Sequence, residues 1–376
     1  MAAVLVVSTA VPLLRVQMEP DLPDVATPPP NESTLPKGPF LSGVDFYDAD
    51  HGYAIRSTCR SGNYRKCADE LLVTEDGEHW ESRRLARPED APSWSRGYVV
   101  ALGPDELAVT WGLSAVDESV RLHRIHSTDA GRTWERVDVP SAVTATVPAI
   151  PDDAELVTTC AELIGGGHRC AERGFAVLLP GSGETALLAN QPKLTAMVAG
   201  TEQTADGQWW VAGRDPKTNR WGLSISDDDG RTWRTTVLSF RESTDLYGWS
   251  VVSANGVLYA SAIGALPNTS NGLLAIFRST DGGRTWERTW QPRDDKAPRR
   301  VFPALVAAAD GTLTINTPDG KAYASHDGGR TFAETAQRYA DYAYWTRIGY
   351  LARGTEGGPT IEMSADGIDW RKVRIG

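Results

Sequence analysis

The chain has 376 residues, 41% of them hydrophobic, with 36 glycines, 13 tryptophans, 11 tyrosines and a formal net charge of −11. That charge disfavours non-specific nucleic-acid binding, which depends on Lys and Arg neutralising phosphates, and neither a basic stripe nor an RNA-binding signature is present. The glycine- and aromatic-rich composition, with no convincing helical period, suits a twisted all-β globule.

Residues 1–15 open with an apolar run, Ala2 to Leu14, closed by Arg15. As a helix it would reach ~20 Å, short of the roughly 30 Å hydrocarbon core. It also lacks the positive start of a signal peptide. A poor signal peptide, a membrane anchor whose beginning is missing, and an apolar tail with no targeting role all stay open, the anchor being favoured. Residues 16–40 are polar and rich in proline, including Pro28-Pro29-Pro30, and read as an extended, semi-rigid spacer.

From residue 41 the chain falls into repeated units. Each holds short apolar or alternating runs that read as strands, such as Trp221–Ile225 and Leu273–Phe277, joined by turns. Unit one runs from about Leu41 to Leu85 and unit two from Gly97 to Pro140. Unit three covers Thr144–Ala189, unit four Lys193–Ser239 and unit five Asp245–Pro292. Unit six covers Arg299–Gln337 and unit seven Ala340–Gly376.

One octet recurs, Ser279-Thr280-Asp281-Gly282-Gly283-Arg284-Thr285-Trp286 in unit five. Full copies begin at Ser127, Ser226 and Ser325, and shortened ones at Thr74 and Ser364. Their closing aromatics are Trp80, Trp134, Trp233, Trp286, Phe332 and Trp370, separated by 54, 99, 53, 46 and 38 residues. The 99 reads as two periods, with unit three lacking its octet. A 40- to 50-residue period marks propeller blades or solenoid units, and the strand-like flanks argue against helical solenoids.

Ser-x-Asp-x-Gly-x-Thr-Trp resembles the Asp-box, or BNR repeat, and residues 41–376 resemble the Asp-box β-propellers. That group includes sialidases, sortilin-type receptors, xyloglucan hydrolases and a photosystem II stability and assembly factor. The resemblance implies an all-β, seven-bladed β-propeller of four-stranded antiparallel blades, with the box between third and fourth strands. It marks the fold and not an activity. The physics of the octet points the same way. Asp76, Asp129, Asp228, Asp281, Asp327 and Asp366 can accept backbone N–H bonds inside a tight turn. Glycine supplies positive φ, and the aromatic ring can bury a large area between sheets.

The four cysteines form two local pairs, Cys59 with Cys67 and Cys160 with Cys170, at spacings unlike a zinc framework. They read as two disulfides, which would imply an oxidising compartment. In the propeller layout both pairs fall between second and third strands, on the face opposite the boxes, where ligands bind by family analogy. The expected ligand face there contains Trp94, Arg96, Arg241, Asp245, Trp249, Arg299, Tyr344 and Trp345. Aromatic and arginine side chains of this kind suit protein contact or sugar stacking.

A sialidase would need an arginine cluster with an Arg-Ile-Pro run, which is missing, and xyloglucan hydrolases set paired carboxylates across two rings. His123 and His126 lie three apart on a strand and face opposite sides, so they make no metal pair. The expectation is a non-catalytic binding or scaffold propeller, extracytoplasmic and secreted or anchored through its N-terminus. It is expected to be monomeric, without cofactor or metal, and to bind a protein or glycan ligand but no nucleic acid. The alternative is a sialidase-like glycoside hydrolase or a glycan-binding lectin.

Overall fold

The computed structural model describes residues 39–59, 67–91, 97–112, 122–139, 143–164, 169–198, 203–239, 246–266, 269–292, 298, 301–302, 304–336, 339, 342–353 and 358–376. Within these, the side chains of 158–164, 169–173, 196–198, 247 and 269–271 are left undescribed. Among the described residues, twenty-eight strands form seven four-stranded sheets.

Blade one holds β1 (Pro39–Phe46), β2 (Gly52–Cys59), β3 (Cys67–Thr74) and β4 (Glu81–Arg83). Blade two holds β5 (Tyr98–Ala101), β6 (Leu107–Trp111), β7 (His123–Ser127) and β8 (Glu135–Val137). Blade three holds β9 (Thr146–Val147), β10 (Glu155–Ile164), β11 (Arg169–Leu178) and β12 (Thr185–Leu188). Blade four holds β13 (Thr195–Val198), β14 (Trp209–Arg214), β15 (Trp221–Ser226) and β16 (Arg234–Val237). Blade five holds β17 (Leu246–Ala254), β18 (Val257–Leu266), β19 (Thr269–Ser279) and β20 (Glu287–Trp290). Blade six holds β21 (Leu305–Ala307), β22 (Leu313–Asn316), β23 (Ala322–Ser325) and β24 (Ala333–Thr335). Blade seven holds β25 (Tyr342–Thr346), β26 (Gly349–Arg353), β27 (Thr360–Ser364) and β28 (Arg371–Arg374).

Six sheets are ordered as in sequence, and every pair in them is antiparallel. Blade three differs in one pair. Its order is β10-β11-β12-β9, and β9 lies parallel to β12 on the outer edge. The turn after β11 reaches blade two beside its box: the Gly181 amide donates to Glu106 at 2.5 Å and Arg124 donates to the Gly183 carbonyl at 3.0 Å. That turn therefore sits on the box face, and the hairpin end between β10 and β11 points the other way. The inner strand β10 thus runs opposite in direction to the inner strands of the six other blades.

Apolar clusters fill the joints between neighbouring blades. Tyr53, Ile55 and Leu71 of blade one pack with Val99, Leu107 and Trp111 of blade two. Trp210, Leu223 and Ile225 of blade four pack with Trp249, Leu258 and Phe277 of blade five. Leu41, Phe46 and Leu72 of blade one pack with Leu351, Ile361 and Val373 of blade seven, which closes the ring. Each such side chain contributes ~1.5–3 kcal/mol by leaving water.

Candidate functional site

The boxes are structural turns. In blade five, Asp281 Oδ1 accepts the Thr285 amide at 2.9 Å and Oδ2 accepts the Thr285 hydroxyl at 2.6 Å. Ser279 Oγ donates to Asp281 at 2.8 Å and accepts the Gly283 amide at 2.9 Å. Asp129, Asp228 and Asp327 repeat these bonds to Thr133, Thr232 and Thr331. The shortened boxes keep the principle, with Asp76 accepting the amides of Glu78 and His79, and Asp366 those of Ile368 and Asp369. Bonds that favour the ionised form hold Asp281 down to about 2, the Thr285 hydroxyl first and its amide second.

Gly283 has φ 82°, and a Cβ there would sit 2.7 Å from Ile225 Cγ1 on the preceding blade. Glycine is thus needed both for its backbone and for the close approach. The closing rings wedge between blades. Trp134 donates to the Arg84 carbonyl at 3.3 Å and Trp233 to the Asn190 carbonyl at 2.9 Å, each on the blade before. Phe332 meets Trp290 edge-on at 6.2 Å, Trp370 stacks on Tyr339 at 4.8 Å, and Trp80 meets Phe46 at 5.8 Å. Trp286 keeps its indole bond inside its own box, to Gly283 at 3.1 Å.

The chemistry-bearing cavity is in the central channel, with a volume of about 240 Å³. Inner strands of several blades wall it: Ser42–Asp45 from β1, Tyr98 from β5, Glu155 from β10, and Tyr342, Tyr344, Trp345 and Thr346 from β25. Trp209, Gln203 and Arg353 add to the lining. Because β1, β5 and β25 run toward the box face, Tyr98 and Tyr342 lie at the opposite mouth while Asp45 and Thr346 lie at the box end.

Arg347, in the turn after β25, crosses that box end. Its Nη2 donates to the Asp153 carbonyl at 2.9 Å and the Ala154 carbonyl at 3.3 Å, both on blade three. Its guanidinium carbon stands 5.6 Å from the centre of the Tyr47 ring of blade one. Blades one, three and seven are thereby bridged at one end of the channel. Asp45 lies beside the bridge, accepting the Ala101 amide at 2.8 Å and the Phe46 amide at 2.9 Å. Enclosure in the channel pushes its carboxyl up to about 6, against the lowering effect of the Ala101 amide and Arg347.

Of the residues expected on the ligand face, Tyr344 and Trp345 line this channel. Tyr344 also donates its hydroxyl to the Val44 carbonyl at 3.2 Å, across the joint between blades seven and one. Trp249 does not face a ligand surface. It is 4% exposed and packs between Trp221 and Phe277 in the core. Trp94, Arg96, Arg241, Asp245 and Arg299 lie outside the described residues.

Cys59 and Cys67 face each other across β2 and β3 and are disulfide-bonded. The side chains of Cys160 and Cys170 are outside the description. Their backbones lie on the β10–β11 hairpin, which ends on the face opposite the boxes. His123 and His126 are both buried, and His126 Nε2 meets Glu106 at 2.7 Å. Sequence reasoning did not single out Asp45, Tyr98, Glu155, Trp209, Arg347 and Arg353. Their one shared signal is a place on or beside an inner strand, which appears only when the ring is assembled.

Residues 277–288, the end of β19 and the box after it, match the family model described as the BNR/Asp-box repeat. The chain is a seven-bladed β-propeller that carries this repeat in its turns. No curated protein sequence matches it. Among solved structures, this propeller is similar to YCF48 bound to D1 peptide, at 13% identity and TM-score 0.45, over 91% of this chain and 96% of the other. It is similar to the GH74 xyloglucanase from Xanthomonas campestris at 15% identity and TM-score 0.39, over 90% and 68%. It is similar to the Trypanosoma rangeli sialidase in complex with the inhibitor DANA at 11% identity and TM-score 0.38, over 90% of this propeller and 54% of the sialidase. Identities this low carry no activity over to this propeller.

Proposed function

We propose that the chain is a non-catalytic binding or scaffold propeller that acts outside the cytoplasm and takes its ligand at the channel mouth opposite the boxes. One observation carries this reading: an aromatic-walled channel is bridged at its box end by Arg347, leaving the other end as the approach. A rigid ring with a walled recess holds a partner without reorganising, which favours binding. The Cys59–Cys67 disulfide is in keeping with an oxidising compartment and closes a loop on the same face. A photo-crosslinking side chain at Tyr98 should capture a partner from the envelope fraction, whereas one at Arg132 on the box face should not. Capture only from Arg132 would overturn the assignment of the face.

A second reading rests on a specific feature. Asp45, pushed up to about 6, and Glu155 line the same cavity, and a carboxyl with raised pKa beside a second carboxylate is the equipment of a glycoside hydrolase. Release of dye from a panel of fluorogenic glycosides, lost in Asp45→Asn, would establish hydrolysis in place of scaffolding.

A further inference from the structure

We propose that the channel mouth is a docking site for the chain's own proline-rich segment, residues 28–36, which lies as polyproline II against the rings of Tyr98 and Tyr342 and sets Glu32 near Arg353. A ligand from outside then has to displace it. The inference rests on the binding reading above, which makes this mouth the approach, and names the first occupant of that approach.

The chain joins the ring at the right place. β1 enters from the mouth side and runs toward the box end, with Pro39 opposite Thr58 and Phe46 opposite Gly52. Ser42 lines the cavity three residues into that strand, so Pro39 stands ~10 Å above it at ~3.3 Å per residue. Tyr98 is nearly level with Ser42, because its neighbours Gly97 and Val99 lie 3.4 Å from where a Cβ on Gly43 would be. Pro30 precedes Pro39 by nine residues, a reach of up to ~30 Å when extended. The segment is therefore long enough to turn back over the rim and cross the mouth. A tether this short holds it there at an effective concentration on the order of millimolar, which an untethered partner has to match.

The chemistry of segment and mouth is complementary. Residues 19–36 contain six prolines, four carboxylates (Glu19, Asp21, Asp24 and Glu32) and no Lys or Arg. Proline rings pack on aromatic faces, and a proline-rich strand docks at low entropic cost because its backbone is already held near polyproline II. Tyr98 lines the channel from blade two and is 58% exposed, the one exposed large hydrophobic side chain among the described residues. Tyr342 lines the same mouth from blade seven, with its ring centre 6.0 Å from that of Tyr344 and a tilt of 44° between them. Arg353 pairs with Tyr342 in the register of β25 and β26, and among the described residues no carboxylate pairs with it. Its guanidinium suits Glu32 and the carbonyls that polyproline II leaves without internal hydrogen bonds.

The test is photo-crosslinking in the whole chain, with a p-benzoylphenylalanine side chain at Tyr98. Peptide mass spectrometry of the purified monomer should place its adduct within residues 28–36, and the same side chain at Arg132 on the box face should give none there. Pro28→Ala, Pro29→Ala and Pro30→Ala made together lie outside the ring and should lower that adduct at least fivefold, as should Arg353→Ala. A fluorescent synthetic peptide of residues 26–37, added in trans, should bind the triple variant at least fivefold more tightly than the unaltered chain, whose tethered copy competes. Equal affinity for the two, or no 28–36 adduct from Tyr98, overturns the proposal. So does an adduct formed mainly between copies, read from mixed light- and heavy-isotope protein. Capture of a partner at Tyr98 without a 28–36 adduct overturns this inference alone and leaves the binding reading standing, whereas neither adduct nor partner overturns both.

Discussion

Replacing Tyr350 with phenylalanine isolates one joint of the ring. Tyr350, on β26 of blade seven, is 2% exposed. Its hydroxyl donates to the Ala307 carbonyl at 3.0 Å and accepts the Ala307 amide at 2.9 Å, on blade six. Among the described residues Ala307 has no other partner for these groups. The Ala308 amide bonds the Thr312 carbonyl at 2.8 Å, and antiparallel bonds alternate along a strand, so Ala307 points both groups away from β22. Deleting one oxygen therefore strands a donor and an acceptor in the interior. At ~1–3 kcal/mol for each buried group left unmade, with partial relaxation, the loss should be about 2–4 kcal/mol. Urea denaturation followed by tryptophan fluorescence measures it, and the slope should stay constant while the midpoint falls. A change below ~0.5 kcal/mol, the level of an ordinary surface substitution, would refute the assignment of the Tyr350 hydroxyl as the sole partner of Ala307.

Three further outcomes are expected. Gly283→Ala should cost ~2–4 kcal/mol through its positive φ and its clash with Ile225. Gly256→Ala, at φ 73° with open space around the Cβ, should cost only about 1 kcal/mol, and equal urea midpoints for the two would contradict the close-approach argument. Reducing the Cys59–Cys67 bond, which spans a sequence separation of 8, should lower stability by ~2–3 kcal/mol in the chain-entropy model. A melting temperature indifferent to dithiothreitol would count against that. The third concerns pH. Asp129, Asp281 and Asp327 are held down to about 2, so their contribution is complete above the ordinary carboxylate range and is lost as pH falls through 2. Asp45 is raised to about 6, so its contribution is complete below about 4 and is lost as pH rises through 6. Calorimetry should place the highest melting temperature between roughly pH 4 and 6, and a maximum above pH 7 would contradict the signs.

The ring was legible in the sequence because its turns carry their own chemistry. An aspartate two residues after a serine, a glycine at positive φ and a closing aromatic are local demands, so each copy announces itself without knowledge of its neighbours. Blade three, whose turn at 179–184 is held by Glu106 and Arg124 of another blade, could be seen only as a gap in the spacing. The channel was harder still. Asp45 and Arg347 stand some 300 positions apart in the chain and meet only because the ring closes. Trp249 shows the opposite error. Its place near the start of a blade suggested the mouth, but alternation along β17 turns its ring into the joint with Trp221 and Phe277.

Every blade, including the irregular third, is drawn from one contiguous stretch of chain, and no strand is exchanged between blade one and blade seven. The joint between them is held by side chains such as Leu72, Leu351 and Val373 and by the Tyr344 bond, the same kind of joint as the others. The ring therefore has no privileged starting point. Cutting the chain at any interblade linker and joining Gly376 to the residues before Pro39 would preserve each sheet and each interface, so the molecule is circular in its bonding logic although linear in its covalent chain.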